Sequence, residues 1–226
     1  MLQQGLALRR EAGKPREIHI ALNAMTTLAF YRGDYARARA YLEEGLSMAR
    51  EAGEVRAVAI YATNLGQSAI LTGEYERAEA LSQEARKQFS RLGDRNGLAE
   101  IKRQFAFLAL TQNHLDRAEK HCVKVILDLQ ERAEVVGIDT ALEILASVAA
   151  ARGENGRAAR IWGGVAGYRE ASGVPWIPDE RAMIEPHIEA ARARLEEAVW
   201  QEEREKGRSM SLDQTMGYAL ENKELA

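Results

Sequence analysis

The sequence predicts an all-α, right-handed solenoid built from helical hairpins and closed by a helical C-terminal cap. Three observations carry this. One stretch returns four times: Arg32-Gly33-Asp34-Tyr35-Ala36-Arg37-Ala38, Thr72-Gly73-Glu74-Tyr75-Glu76-Arg77-Ala78, Gln112-Asn113-His114-Leu115-Asp116-Arg117-Ala118 and Arg152-Gly153-Glu154-Asn155-Gly156-Arg157-Ala158. Its glycine or asparagine recurs every 40 residues with no slip in register, and so does its arginine. A second set of stops, Gly13, Gly53, Gly93 and Gly173, keeps the same period, with Ala133 the departure. The composition agrees: 46% hydrophobic and 29% charged residues with only 4 prolines describe a folded chain, and a sequence dominated by Ala, Leu, Glu and Arg favours helix over strand.

The chain opens with Leu2-Gln3-Gln4-Gly5-Leu6-Ala7-Leu8, in register with the second helix of a hairpin whose first helix is missing. A half repeat is therefore expected over 1–13, in a chain cut from a longer protein, because a solenoid end needs a polar capping helix. Full repeats are expected over 14–53, 54–93, 94–133 and 134–173. In the first, Ile18, Leu22, Met25, Leu28 and Ala29 fall on one face of a helix from Arg16 to Tyr31. Gly33 then takes the left-handed C-cap, and Asp34 caps the next helix. That helix runs through Ala38, Tyr41, Leu42, Leu46 and Ala49 to its stop at Gly53. Asn113 fits the same turn because asparagine tolerates the left-handed region.

The C-terminal segment, 174–226, reads as a linker and cap. Val174-Pro175-Trp176-Ile177-Pro178 breaks the repeat, since residues before proline leave the helical region. Ile184, Ile188, Leu195 and Val199 give one apolar helical face, with Pro186 in the first turn or at a kink. Ser211-Leu212-Asp213-Gln214 has the form of a capping box opening a last short helix.

At Leu65-Gly66, Gly73, Tyr75, Ala78 and Ala85 the sequence resembles the tetratricopeptide repeat (TPR): an L-G pair, a G-x-Y turn, and alanines on the second helix. Gly33, Tyr35, Ala38, Asn113, Ala118, Gly153 and Ala158 hold matching positions in the other copies. The 40-residue period departs from the usual spacing of about 34, so longer helices are expected. Ala158-Ala159-Arg160-Ile161-Trp162-Gly163-Gly164-Val165-Ala166-Gly167-Tyr168-Arg169, Ala191-Arg192-Ala193-Arg194-Leu195 and Gly207-Arg208-Ser209-Met210-Ser211-Leu212 resemble the closing segment of large bacterial regulators. In those of the STAND and LuxR type, such repeats follow an ATPase module and precede a DNA-binding helix-turn-helix. The aromatic that the resemblance puts three residues before Gly207 is Arg204 here. Neither an ATPase signature nor a helix-turn-helix lies within these 226 residues.

Charge and chemistry narrow the function further. Residues 179–226 hold 12 acids against 7 bases, a balance of −5, and the rest balances at +2. No concentrated basic stripe accompanies this, so direct nucleic-acid binding by this segment is not expected. No apolar run reaches membrane-spanning length, the first residues lack a signal-peptide core, and the single Cys122 fits a reducing cytoplasm. His114, His121 and Cys122 share a helix, but no further ligand stands at metal spacing and no third group completes a triad. Cys122 falls instead at a packing position. The run Gly163-Gly164-Val165-Ala166-Gly167 is mid-helix, not the strand-to-helix turn of a phosphate loop. No catalysis, metal or cofactor is expected. Trp162 and Trp200 read as packing anchors, and Trp176, in the linker, as either an anchor or an exposed binding aromatic.

The TPR resemblance implies a concave groove lined by the first helix of each hairpin. Here its motif positions fall on Asn23, Thr27, Thr63, Gln67, Arg103, Phe107, Glu143 and Ser147. Amides, hydroxyls, an arginine and a phenylalanine suit a protein or peptide partner, or a small polar ligand; the same residues also suit a solvated face without a partner. The expected function is a sensing or interaction module of a larger bacterial regulator, and the alternative is a free-standing adaptor that binds a peptide in the groove.

Overall fold

The computed structural model describes residues 15–176 and 178–221, and among these the chain is all-helical, without a strand. Eleven helices follow in order: α1 (Pro15–Tyr31), α2 (Tyr35–Glu51), α3 (Val55–Leu71), α4 (Tyr75–Leu92), α5 (Arg95–Thr111), α6 (Leu115–Glu131), α7 (Ile138–Ala151), α8 (Asn155–Ser172), α9 (Pro178–Ala193), α10 (Glu197–Arg208) and α11 (Leu212–Leu220). Gly13, the half repeat over 1–13 and Ile177 lie outside the described residues.

One turn is used throughout the repeats. Gly33, Gly53, Gly73, Gly93, Asn113, Ala133 and Gly153 all have positive φ, from 52° to 82°. The residue after each donates its backbone N–H to the carbonyl five residues earlier, at 2.8–3.0 Å, from Asp34 to Ala29 through Glu154 to Ala149. This is the 6→1 bond of a Schellman cap. The two series of stops seen in the sequence thus make one turn, spaced by 20 residues. Except at Glu134, the donating residue's own carbonyl accepts the first bond of the next helix, as Asp34 does from Ala38 at 3.0 Å. No loop residue is left over. The Asp34 side chain also accepts from the N–H of Arg37 at 3.1 Å, the cap that the sequence predicts. Asn113 takes the left-handed position at φ 58°, and Ala133, which broke the glycine pattern, takes it at φ 52°.

The described residues form two compact units, divided after Ile101. In the first, α1 packs on α2, α2 on α3 and α3 on α4. Ile18, Leu22, Met25 and Ala29 of α1 are buried, as are Ala38, Leu42, Leu46 and Ala49 of α2. Ala38 and Ala78 are fully enclosed, as their small size requires where helices approach closely. Ion pairs Arg39–Glu74, Arg77–Glu43 and Arg50–Glu84, each at 2.5 Å, tie α2 to α4. Being partly exposed, each contributes about 0–1 kcal/mol and serves register more than stability.

In the second unit α6 packs on α7 and α7 on α8, and the chain then breaks at Val174–Trp176. Helix α9 returns onto α7 and α8, α10 packs along α8, and α11 contacts both α8 and α7. Pro186 sits in the interior of α9. The apolar face expected to run from Ile184 to Val199 divides in two. Ile184 and Ile188 are buried on α9, but Arg194 and Leu195 bond back three residues and Glu196 is extended. The helical phase is lost there, so Val199 on α10 is 40% exposed and Trp200 is buried instead. The capping box at Ser211 forms with both of its bonds to Gln214.

The glycine run of α8 is where two helix backbones meet. A Cβ on Gly163 would stand 2.1 Å from the Arg204 carbonyl oxygen, and one on Gly207 of α10 1.9 Å from that of Arg160. Side chains on these faces would force α8 and α10 apart.

Two stability changes follow. Ala133→Gly relieves a left-handed alanine and should raise stability by about 0.5–1 kcal/mol in urea unfolding; an unchanged midpoint counts against strain at that turn. Gly207→Ala inserts a methyl group against backbone that cannot rotate away and should cost about 2–3 kcal/mol; a neutral result would mean that α10 sits farther from α8.

Candidate functional site

The residues assigned to the groove divide by exposure. In the first unit Asn23 and Thr27 are exposed on α1, and the Thr27 hydroxyl donates to the Asn23 carbonyl at 3.0 Å. Gln67 is half-buried on α3. Thr63 is buried, its hydroxyl donating to the Ala59 carbonyl at 2.8 Å, so it is not available on an open face. Beside Asn23 a cavity of about 390 Å³ opens between α1 and α3, lined by His19, Ile20, Asn23, Glu54, Ile60 and Tyr61 among others. The Tyr61 hydroxyl lies 3.0 Å from His19 Nδ1, and the His19 Nε2 lies 3.4 Å from the Glu54 carboxylate. Burial, then the nearby Glu54 and Glu44 charges, push the Tyr61 hydroxyl up to about 12, so it stays a neutral donor. Ile20 and Ile60 are 62% and 41% exposed at the rim. The site is an apolar lip around a short polar relay.

In the second unit the expectation of an open lining is corrected. Phe107, Glu143 and Ser147 are all buried, and Arg103 is largely so. The physical reason on α7 is the return of α9 onto that helix, a packing that no repeat motif encodes. Ser147 spends its hydroxyl on the Glu143 carbonyl at 2.9 Å. Glu143 faces Arg169, itself buried on α8, at 3.3 Å, and Arg169 also pairs with Asp139 at 2.9 Å. Glu180 of α9 accepts from Thr140 at 3.2 Å. Arg103 lies over the backbone of Gly137, where even a Cβ would collide with its guanidinium. Charges of Glu180 and Asp139 support it against the burial that lowers its pKa.

Among the described residues this cluster holds three carboxyls, Asp139, Glu143 and Glu180, near two arginines, Arg103 and Arg169, with the Arg181–Glu185 ion pair alongside as a neutral unit. One negative charge is in excess, and in a poorly solvated site the cheapest remedy is a retained proton. Burial accordingly raises Glu143 to about 8 against the pull of Arg169, and raises Glu180 against that of Arg103.

Next to the cluster, Trp176 is half-buried with its ring under Arg169 and Arg181, each 4.5 Å from the centroid. It tilts against Trp162, which tilts against Trp200 in turn. Arg204, where the family resemblance expected an aromatic, lies 5.4 Å over the Trp162 ring. Arg181, Asp139 and Glu180 carry no motif; Arg169 stood in the sequence only as the end of the closing-segment resemblance, and Arg204 as a departure from it.

The remaining candidates are accounted for by packing. Cys122 is fully enclosed and burial drives its thiol far above the ordinary range, which disfavours a thiolate. His121 stacks on Phe105 at 5.5 Å, and His114 sits at the cap of α6. No group of three or more metal-binding side chains occurs among the described residues. No family model matches the chain, and no curated protein matches it either.

The retained proton has a consequence for stability. Glu143 ionises near 4.5 when free and at about 8 when folded. The folded state therefore holds the extra proton between these values. The penalty of ionising the buried group is absent below about pH 4.5, grows as pH rises and is complete above about pH 8. Between pH 6 and 8 the melting temperature of the wild type should fall relative to that of Glu143→Gln. Parallel profiles for the two proteins would show that Glu143 is ionised throughout.

Proposed function

We propose that this chain is a non-catalytic binding module with a TPR-like, right-handed superhelical fold, serving as a sensing or interaction segment of a larger bacterial signalling or transcriptional regulator in the cytoplasm. The fold reading draws its support from the single turn type repeated every 20 residues and from the enclosed alanines Ala38, Ala78, Ala118 and Ala158. The binding reading rests on one observation: the cavity between α1 and α3, with Asn23 beside two exposed isoleucines, Ile20 and Ile60. Exposed branched apolar residues around a polar cleft are the chemistry of an anchor site, in which one apolar side chain docks and an amide fixes its backbone. The partner is therefore a protein or peptide carrying an exposed aliphatic or aromatic anchor.

Selection of a displayed random-peptide library on the chain tests this. Enriched peptides should share one apolar anchor, and Ile60→Asp should weaken their binding at least about tenfold, or about 1.4 kcal/mol, with the melting temperature unchanged. Absence of enrichment, or binding indifferent to both Ile60→Asp and Asn23→Ala, would sink the proposal.

A further inference from the structure

The second unit carries a cavity of about 520 Å³ that the peptide reading does not use. Its walls come from the last turns of α8, the Val174–Trp176 connection, the first turn of α9 and the end of α10. Three guanidinium groups and two indoles face it: Arg169, Arg181, Arg204, Trp162 and Trp176. The volume lies within the roughly 300–1,000 Å³ typical of small-molecule sites.

The charge balance of this cavity is uneven. Arg169 is matched by Asp139, and Arg181 by Glu185, whose oxygen accepts from Nη2 at 2.8 Å. Glu170, the acid on the described wall, is exposed and turned outward to Arg208 at 2.6 Å. Arg204 has no carboxylate partner among the described residues, and its charge rests on the face of Trp162. Three buried donors of wall residues also lack a hydrogen-bond acceptor: the Arg204 Nε, the Trp162 Nε1 and the Arg169 Nε, the last of which faces the Glu143 carboxyl at 3.3 Å. A buried donor without an acceptor costs about 1–3 kcal/mol, so evolution seldom keeps two side by side in a wall without a use. Arg181 lies over both rings, 5.0 Å from Trp162 and 4.5 Å from Trp176. Two guanidiniums of the cavity wall thus lie against the Trp162 ring, Arg181 and Arg204, at 5.0 and 5.4 Å from its centroid.

We propose that this cavity binds a small ligand through an oxyanion, a carboxylate or a phosphate, held by Arg181 and Arg204 beside the Trp162 and Trp176 rings. The planar guanidinium fork matches the paired oxygens of either group, which an ammonium cannot do. The indole N–H supplies a further donor after a small side-chain rotation. This site is independent of the peptide cleft on the first unit, and neither reading needs the other.

Of the chain's 3 tryptophans, Trp162 and Trp176 line this cavity and Trp200 lies against Trp162, so intrinsic fluorescence reports on it. The full chain is titrated with sodium acetate and, separately, with sodium phosphate at constant ionic strength held with chloride. The expected result is a saturable change with at least one of them, with Kd below about 10 mM. Which anion saturates identifies the source of the oxyanion. Arg204→Met should remove saturation and Arg204→Lys weaken it at least about tenfold, with both melting curves cooperative; should the Met variant not fold, the Lys variant and Arg181→Lys carry the comparison. Titrations that stay linear for both anions overturn the proposal, as does saturation unchanged in the folded Arg204 variants.

Discussion

Each reversal between α1 and α8 is made by one residue of positive φ and a backbone bond that spans five residues. The rest of the repeat depends on this economy. Because the residue that closes one helix usually opens the next, no loop can absorb an insertion. A slip of one residue would rotate the following helix by about 100° and turn its apolar face away from its neighbour. The constancy of Ala38, Ala78, Ala118 and Ala158, all fully enclosed, follows from that phase lock. The only covalent requirement is a tolerance for left-handed backbone, which explains why Asn113 and even Ala133 can stand in for glycine.

The single loosening of this rule comes after Ala133. Glu134 still closes α6 onto Leu129, yet α7 does not begin until Ile138, preceded by Gly137 at φ 85°. The extra residues include Val136, 83% exposed. What the added bend makes room for is Arg103, whose guanidinium occupies the space where a Gly137 side chain would stand. A shorter α7 and a displaced start thus accompany the buried charge cluster rather than an irregularity of the repeat.

This contrast explains which parts of the molecule were legible in the sequence. Turn positions, caps and buried helix faces are encoded locally, by backbone tolerance and by spacing, so Gly33, Asp34, Ala78 and the Ser211 box could be read in advance. The groove residues were placed by a repeat pattern that says which helix face they occupy, not what lies against it. Asn23 and Thr27 remain exposed, whereas Glu143 is enclosed with Arg169 under a helix that belongs to no repeat. A carboxylate reads identically in sequence whether it faces water or a buried arginine. The break at Glu196 was hidden for a related reason: Ile184 and Val199 keep helical spacing across a point where the helix stops. The glycines of α8 misled in neither direction, since a helical run with no side chains can only invite another backbone.

Arg169 is the residue through which the two special features of the second unit meet. One side of its guanidinium pairs with Asp139 and Glu143, and its face lies on Trp176 in the wall of the cavity. A charge so placed contributes little net field to the cavity, because Asp139 already neutralises it at close range. Arg181 is discounted in the same way by Glu185. The cavity's positive character therefore falls to Arg204, at the position where the resemblance read from the sequence implies an aromatic. An aromatic at that position would bring no charge; arginine lies against the Trp162 ring and adds one. In the proposed oxyanion site, that arginine is the residue that supplies the charge.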